Sequence, residues 1–161
     1  MHDLTAIQRQ MGASLIVALV FLAILTIAGI TAARFATMEE RMASNSQFRG
    51  QTYQNAQSEI RSQIASFNEN LAKRVPLLQA ANNALDATTK FPERRTQADL
   101  TTVMTGASIT SNKIRFMSKG LCEGASVGRF ECSAYEIDTE SRLSNGAYSN
   151  QTQGIYFLNL K

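Results

Sequence analysis

An uncharged run of 21 residues, from Ala13 to Ala33, limits most strongly what this chain can fold into. Arg9 precedes the run and Arg34 follows it. As a helix rising about 1.5 Å per residue, the run is about 32 Å long, enough to cross the ~30 Å hydrocarbon core of a bilayer. Its Leu, Ile, Val and Phe side chains all favour insertion into a membrane. The sequence therefore predicts a transmembrane helix at 13–33.

The length of the run argues against a cleaved secretory signal peptide. Such a peptide has an apolar region of about 7–15 residues that ends in small residues at the cleavage site. Here the small residues Ala28, Gly29, Ala32 and Ala33 lead into a further helical pattern. A signal anchor fits better, and Gly12 lies where the polar leader meets the apolar run.

Helical spacing of apolar residues continues beyond the run, and no proline occurs before Pro76. One helix is therefore predicted from about Ala13 to the mid-60s or beyond. Its predicted apolar stripe comprises Phe35, Met38, Met42, Tyr53, Ala56, Ile60, Ile64, Phe67 and Leu71.

The rest of the chain changes from helical to strand-like spacing. A second short helix is predicted at Lys73–Thr89, with Leu77, Leu78, Ala81 and Leu85 on one face, followed by a loop at Lys90–Arg95. The predicted strands are Leu100–Met104, Lys113–Met117, Arg129–Glu140 and Gly154–Leu160, with a loop at Ser144–Gly146 and Ser149–Gln151. The predicted fold class is α+β, with a long N-terminal helix packed on a small, mostly antiparallel sheet.

Two motifs flank the uncharged run. Gln10-Met-Gly-Ala-Ser-Leu leads into it, and Glu39-Glu40-Arg41-Met42-Ala-Ser-Asn45 follows it. Together they resemble the N-terminal region of PilX-type minor pilins of type IV pili, over about residues 8–64. The spacing of the second motif from the apolar run is the specific part of this resemblance.

The resemblance implies a pilin-like processing and location. A prepilin peptidase would remove the leader 1–12 by cutting after Gly12, and Ala13 would become the N-methylated first residue. Residues 13–33 would be the transmembrane and assembly helix, and 34–161 a periplasmic globular pilin domain that includes the amphipathic half of the helix. The chain would span the inner membrane once and later enter the extracellular pilus.

Val17 occupies the fifth position after the implied cut, where most pilins carry a glutamate. In the family that carboxylate pairs with the N-terminal amine of the neighbouring subunit nearer the tip. A carboxylate in the membrane costs several kcal/mol without a partner, and a subunit with no neighbour above it gains nothing from one. Val17 therefore favours a tip or initiating position. The alternative is that Val17 is an ordinary apolar residue of a membrane anchor.

The chain has two cysteines, Cys122 and Cys132, with nine residues between them. A disulfide across this loop would contribute about 2–3 kcal/mol in an oxidising compartment. A metal site needs more ligands than these two thiols. We therefore predict the disulfide.

Charge is modest in amount but uneven along the chain. The net charge of +3 is too small to predict nucleic-acid binding. Basic residues predominate between Arg34 and Lys119, and acidic ones from Leu121 to Glu140, which would suit head-to-tail stacking or only solvated faces. Glu136, Asp138 and Glu140 alternate on a predicted strand, so they would line either a Ca²⁺ site or a plain exposed face.

No pattern in the sequence predicts an enzyme, a cofactor or a resident metal. The only histidine is His2, in the implied leader, and no phosphate-binding loop occurs. The leading hypothesis is a minor pilin whose partners are other minor pilins, the major pilin, the prepilin peptidase, the inner membrane and a tip adhesin. The Ser144–Gln153 loop is the predicted adhesive surface. The alternatives are a minor pseudopilin of a type II secretion system and a plain anchored periplasmic binding module.

Overall fold

The computed structural model describes residues 11–85, 96–106, 108–122 and 130–160. They form helices α1 (Met11–Glu69) and α2 (Val75–Leu85), a 3₁₀-helix (Leu71–Arg74), and strands β1 (Ala98–Asp99), β2 (Ile109–Gly120), β3 (Phe130–Arg142) and β4 (Tyr148–Leu160). The chain divides into two compact units, residues 1–46 and 47–161. The predicted α+β fold, with a long N-terminal helix and an antiparallel sheet, is confirmed.

The first unit is the N-terminal part of α1. With no proline to interrupt it, the helix runs unbroken through the uncharged segment and on past Glu39 and Glu40. Its most apolar window has a mean hydropathy of 2.8 and no buried residue, so this helix is long and apolar enough to cross a membrane.

The second unit contains a four-stranded antiparallel sheet in the order β1-β2-β3-β4. Strands β2 and β3 pair over most of their length, with register shifts at Ile109/Ser111 and Phe116/Ser118. Strands β3 and β4 pair without a shift from Phe130↔Leu160 to Arg142↔Tyr148. Three of the four predicted strands therefore lie in the sheet, although each is longer than its prediction.

A tight turn joins β3 to β4. Gly146 donates its N–H to Leu143 O (3.0 Å) and adopts φ 89°, a conformation that favours glycine. Asn145 Oδ1 accepts from Ala147 N at 3.1 Å. The loop predicted at 144–146 is thus present, but the one predicted at 149–151 is wrong, because β4 already begins at Tyr148.

Within the second unit, the part of α1 from residue 47 onward buries one face against the sheet. The buried positions are Thr52, Ala56, Glu59, Ile60, Gln63 and Phe67. Of the predicted stripe, Ala56, Ile60 and Phe67 are buried and Ile64 is partly buried, whereas Phe35, Met38, Met42, Tyr53 and Leu71 are at least half exposed. Tyr53 points away because Thr52 takes the inward position of that turn, and Leu71 lies beyond the end of α1 in the 3₁₀-helix.

The segment after α1 differs from its prediction in two places. The region predicted as one helix begins with the 3₁₀-helix, and α2 then buries Leu77 and Ala80 while Leu78 stays 64% exposed. The strand predicted at 100–104 is wrong, since β1 ends at Asp99 and residues 100–103 form an irregular segment. Residues 86–95, which include the predicted loop, lie outside the described residues, as do 1–10.

Aromatic rings connect the core between α1 and the sheet. Phe67 meets Phe157 edge to face at a centroid distance of 5.9 Å, Phe157 meets Tyr135 at 6.1 Å, and Tyr135 meets Phe116 at 5.4 Å. Arg74 closes the end of this row, with its guanidinium 5.3 Å from the Phe157 ring and its Nε donating to Phe67 O. The row fixes the last turns of α1 on β3 and β4.

Candidate functional site

The uncharged part of α1 exposes mostly apolar side chains to its surroundings. Its large side chains, Leu15 to Ile30, are each more than half exposed. Its two threonine hydroxyls are satisfied within the helix, since Thr26 donates to Leu22 O (2.7 Å) and Thr31 to Ala28 O (2.9 Å). With both threonines bonded internally and no charged side chain, the segment suits a lipid or apolar-helix environment.

Val17 lies in the second turn of α1 with 60% of its surface exposed. No ionisable side chain occurs between Ala13 and Ala33. The implied cleavage position, Gly12, is the second residue of α1. The predicted processing site and the position of the missing glutamate therefore lie within the first two turns of one apolar helix.

The second motif is displayed on the same helix, beyond the uncharged run. Glu39, Glu40, Arg41, Met42 and Asn45 are all exposed. Arg41 and Asn45 are four residues apart and share a helix face, as do Glu39 and Met42 at a spacing of three. No ion pair joins these side chains to each other within residues 11–46, so the motif is accessible to other molecules.

The comparison with protein families identifies this region. Residues 12–61 match a family model described as PilX N-terminal. Over this stretch, about a third of the chain, the sequence is similar to the N-terminal region of PilX-type pilins. The match confirms the resemblance drawn from the sequence and indicates a pilin related to type IV pili. No curated protein and no solved structure matches the chain significantly.

The PilX-type region and the apolar helix together fit a membrane-anchored pilus subunit. The matched family is a structural one, so the match gives no indication of catalysis. Within the described residues, no group of three or more His, Cys, Asp or Glu side chains is arranged to hold a metal ion.

Sequence reasoning missed a buried carboxylate near the end of the matched region. Glu59 is 0% exposed. Its Oε1 accepts from Val103 N (2.9 Å), Asn112 Nδ2 (2.9 Å) and Gln63 Nε2 (2.8 Å), and its Oε2 accepts from Met104 N (2.9 Å). These four donors satisfy a charge that would otherwise be costly to bury.

The hydrogen bonds of Glu59 extend into a network that spans the second unit. Gln63 also donates to Thr101 O, at 2.6 Å. On the sheet, Asn112 Oδ1 accepts from Thr139 Oγ1 at 2.8 Å. The network thus ties α1 to the irregular segment after β1 and to strands β2 and β3. The available sequence signal was the i, i+3 and i+4 spacing of Glu59 with Ala56 and Gln63, which puts a carboxylate on the buried face.

The acidic residues of β3 face basic residues of β2. Glu136 forms an ion pair with Arg115 (3.7 Å), and Asp138 lies opposite Lys113 in the strand register. Glu140 pairs with Arg142 on its own strand, at 3.2 Å. Opposite charges therefore lie next to each other within the sheet, which accounts for these three carboxylates without a Ca²⁺ ion.

A third ion pair lies at the end of the sheet beside the aromatic row. Lys119 Nζ is 2.7 Å from Glu131 Oε2. Burial raises the pKa of the nearby Tyr135 hydroxyl above its usual value, while a hydrogen bond with Ser133 and the charge of Lys119 act in the opposite direction. Tyr135 therefore stays protonated and neutral at physiological pH.

The predicted disulfide is present. Cys122 and Cys132 are bonded, with their Cα atoms 5.1 Å apart. Cys132 lies in β3 opposite Gly120 of β2, so the bond closes the connection between these two strands at its base. Residues 123–129, which include Gly124 and Gly128, are outside the described part of the chain.

Proposed function

We propose that the chain is a minor pilin of a type IV pilus that acts at the pilus tip or in the complex that initiates assembly. In this proposal the leader is cut after Gly12 and Ala13 is N-methylated. The chain then spans the inner membrane once, with its second unit in the periplasm, until it is extracted into the pilus. Its partners are the prepilin peptidase, other minor pilins, the major pilin and a tip adhesin.

The PilX-type N-terminal region supports the pilin part of the proposal. The exposed apolar side chains of the uncharged part of α1 support the assembly route, because a helix segment without charged groups moves from lipid into a bundle of apolar helices with little change in environment.

Val17 is the observation that carries the tip position. A subunit within the shaft has a neighbour above it whose amine can compensate a buried carboxylate at this position, whereas the topmost subunit has none. No ionisable side chain occurs between Ala13 and Ala33, so no other side chain of this segment stands in for the missing charge.

Counting copies per filament tests the tip position. Pili sheared from the producing cells are sorted by length, and the chain is quantified against the major pilin by mass spectrometry. The proposal predicts a constant number of copies per pilus regardless of length. A number that rises in proportion to length would overturn it and place the chain in the shaft.

Val17→Glu provides the matched perturbation. The added carboxylate can pair with the amine of a subunit above, so we expect more copies per filament and a partial dependence on length. Val17→Gln has nearly the same size without the charge and should leave the copy number unchanged. An equal response to both variants would contradict the role assigned to position 17.

A further inference from the structure

Strand β4 forms one edge of the sheet in the part of the chain that the structure describes. It has 13 residues, Tyr148–Leu160, and pairs with β3 alone. In such a strand every second residue directs its N–H and C=O away from the sheet. A second backbone in extended conformation is the partner that satisfies this whole row of groups.

The opposite edge of the sheet carries the features that normally prevent such pairing. Strand β2 has two register shifts, is partly covered by β1, and bears Lys113, Arg115 and Lys119. Charged side chains and bulges are the usual protection of an exposed edge. Strand β4 has no charged residue, no proline and no register shift.

Beyond Gly154, β4 also exposes two large apolar side chains. Tyr156 is 78% exposed and Leu158 is 54% exposed. A Cβ at Gly154 would meet no atom within 4 Å, so another backbone can approach there. Gly154 O accepts from Gln153 Nε2 at 2.9 Å, a side-chain bond that an incoming N–H can replace.

We propose that the β4 edge receives an extended, uncharged strand from a different subunit of the same assembly. This inference rests on the proposed function, which supplies the neighbouring subunits. The incoming strand adds its backbone to β4, and its apolar side chains lie beside Tyr156 and Leu158.

The sequence of β4 disfavours a second copy of this chain as the occupant. Antiparallel pairing of two β4 strands over their full length, centred on Gly154, would put Thr152 opposite Tyr156 and Asn150 opposite Leu158. Apolar side chains would then face polar ones along the ladder, where matched apolar pairs are the stabilising ones. A different strand, apolar opposite 155–158, fits this edge better.

Hydrogen exchange of the full-length chain tests the proposal. The amides of β4 are compared between the purified chain in detergent micelles and the same chain captured, through an affinity tag, together with its assembled pilus subunits. We expect those amides of β4 that exchange rapidly in the chain alone to slow at least about tenfold in the assembly. Unchanged exchange of the β4 amides in the assembly would overturn the proposal. Protection of these amides in the purified chain that increases with protein concentration would also overturn it, because the occupant would then be a second copy of this chain.

Lysine substitutions give a second, independent readout. Thr152→Lys with Tyr156→Lys adds two charges to the β4 edge, and Thr110→Lys with Ser118→Lys adds the same charges at exposed positions of β2. We expect the first pair to lower the amount of co-captured subunit at least about tenfold and the second pair to leave it unchanged. Equal capture by both would contradict the proposal. N-terminal processing is scored in the same samples, so an unprocessed chain reveals failure of the proposed function rather than of the edge.

Discussion

Replacing Glu59 with alanine is expected to destabilise the second unit by about 3–5 kcal/mol. Hydrogen bonds to a charged group contribute about 1.5–3 kcal/mol each. In Glu59→Ala, Val103 N, Met104 N and Asn112 Nδ2 lose the carboxylate, while Gln63 keeps its bond to Thr101 O. Because Val103 is 44% exposed, water replaces part of what is lost there, and the total stays below the simple sum.

Two further variants serve as comparisons: one removes the charge of Glu59 but keeps the shape of its side chain, and the other removes an exposed carboxylate from the same helix. Glu59→Gln keeps one oxygen for the three donors at Oε1 but turns an amide N–H₂ toward Met104 N, so we expect a loss of about 1–3 kcal/mol. Glu69→Ala removes an exposed carboxylate from the last residue of the same helix and should change stability by less than about 0.5 kcal/mol.

Urea unfolding of the full-length chain in micelles measures these differences. The chain has no tryptophan, so near-ultraviolet circular dichroism of its four tyrosines, among them the buried Tyr135, reports the packed state. With a slope of about 1–3 kcal/mol per molar urea, Glu59→Ala should lower the midpoint by about 2 M. Exchange of the Val103 and Met104 amides should also quicken. Equal midpoints for Glu59→Ala and Glu69→Ala would refute the reasoning.

Three further predictions follow from the second unit. Cys122→Ser with Cys132→Ser should lower stability by about 2–3 kcal/mol, and a melting temperature equal to that of the oxidised wild type would contradict the role of the disulfide. Phe67→Ala should cost about 3–5 kcal/mol in urea unfolding, against less than about 1 kcal/mol for the half-exposed Tyr53→Ala; similar losses would mean that the buried face of α1 is assigned wrongly. Because burial raises the pKa of Tyr135, the unfolded chain loses this proton first, so stability should fall as pH rises above about 10, as followed by urea midpoints between about pH 9 and 11. Tyr135→Phe should show a smaller fall, and an identical fall would exclude this contribution.

The long helix and the antiparallel sheet could be predicted because their signals are local. The uncharged run and the absence of proline before Pro76 specify α1, and the Asn145-Gly146 turn specifies the hairpin of β3 and β4. The disulfide was predictable because the chain has only two cysteines.

The details of burial depended on contacts between distant parts of the chain. The burial of Glu59 depends on hydrogen bonds from Val103, Met104 and Asn112. These residues lie 44 to 53 positions further along the chain, so no local sequence pattern shows them. For the same reason the segment 100–104 was predicted as a strand from its composition, whereas the amides of Val103 and Met104 bond to Glu59 instead of to a neighbouring strand.

The accessible edge of β4 could not be predicted because the first half of this strand has the composition of a loop. Polar residues from Ser149 to Gln153 are typical of a loop, so an adhesive loop was predicted at 144–153. In the structure, pairing with β3 extends the strand back to Tyr148 and shortens the loop to the turn before it. None of the side chains from 148 to 153 is buried, so this half of the strand accommodates polar residues on both faces.

The most direct test of the central claim is the N-terminus of the protein in its membrane. Intact mass and N-terminal sequencing are compared between cells with and without a prepilin peptidase. A pilin requires a form that begins at Ala13, heavier by one methyl group, only in cells that have the peptidase. A chain that keeps Met1 in both strains would contradict the claim and leave a membrane-anchored domain outside the pilus.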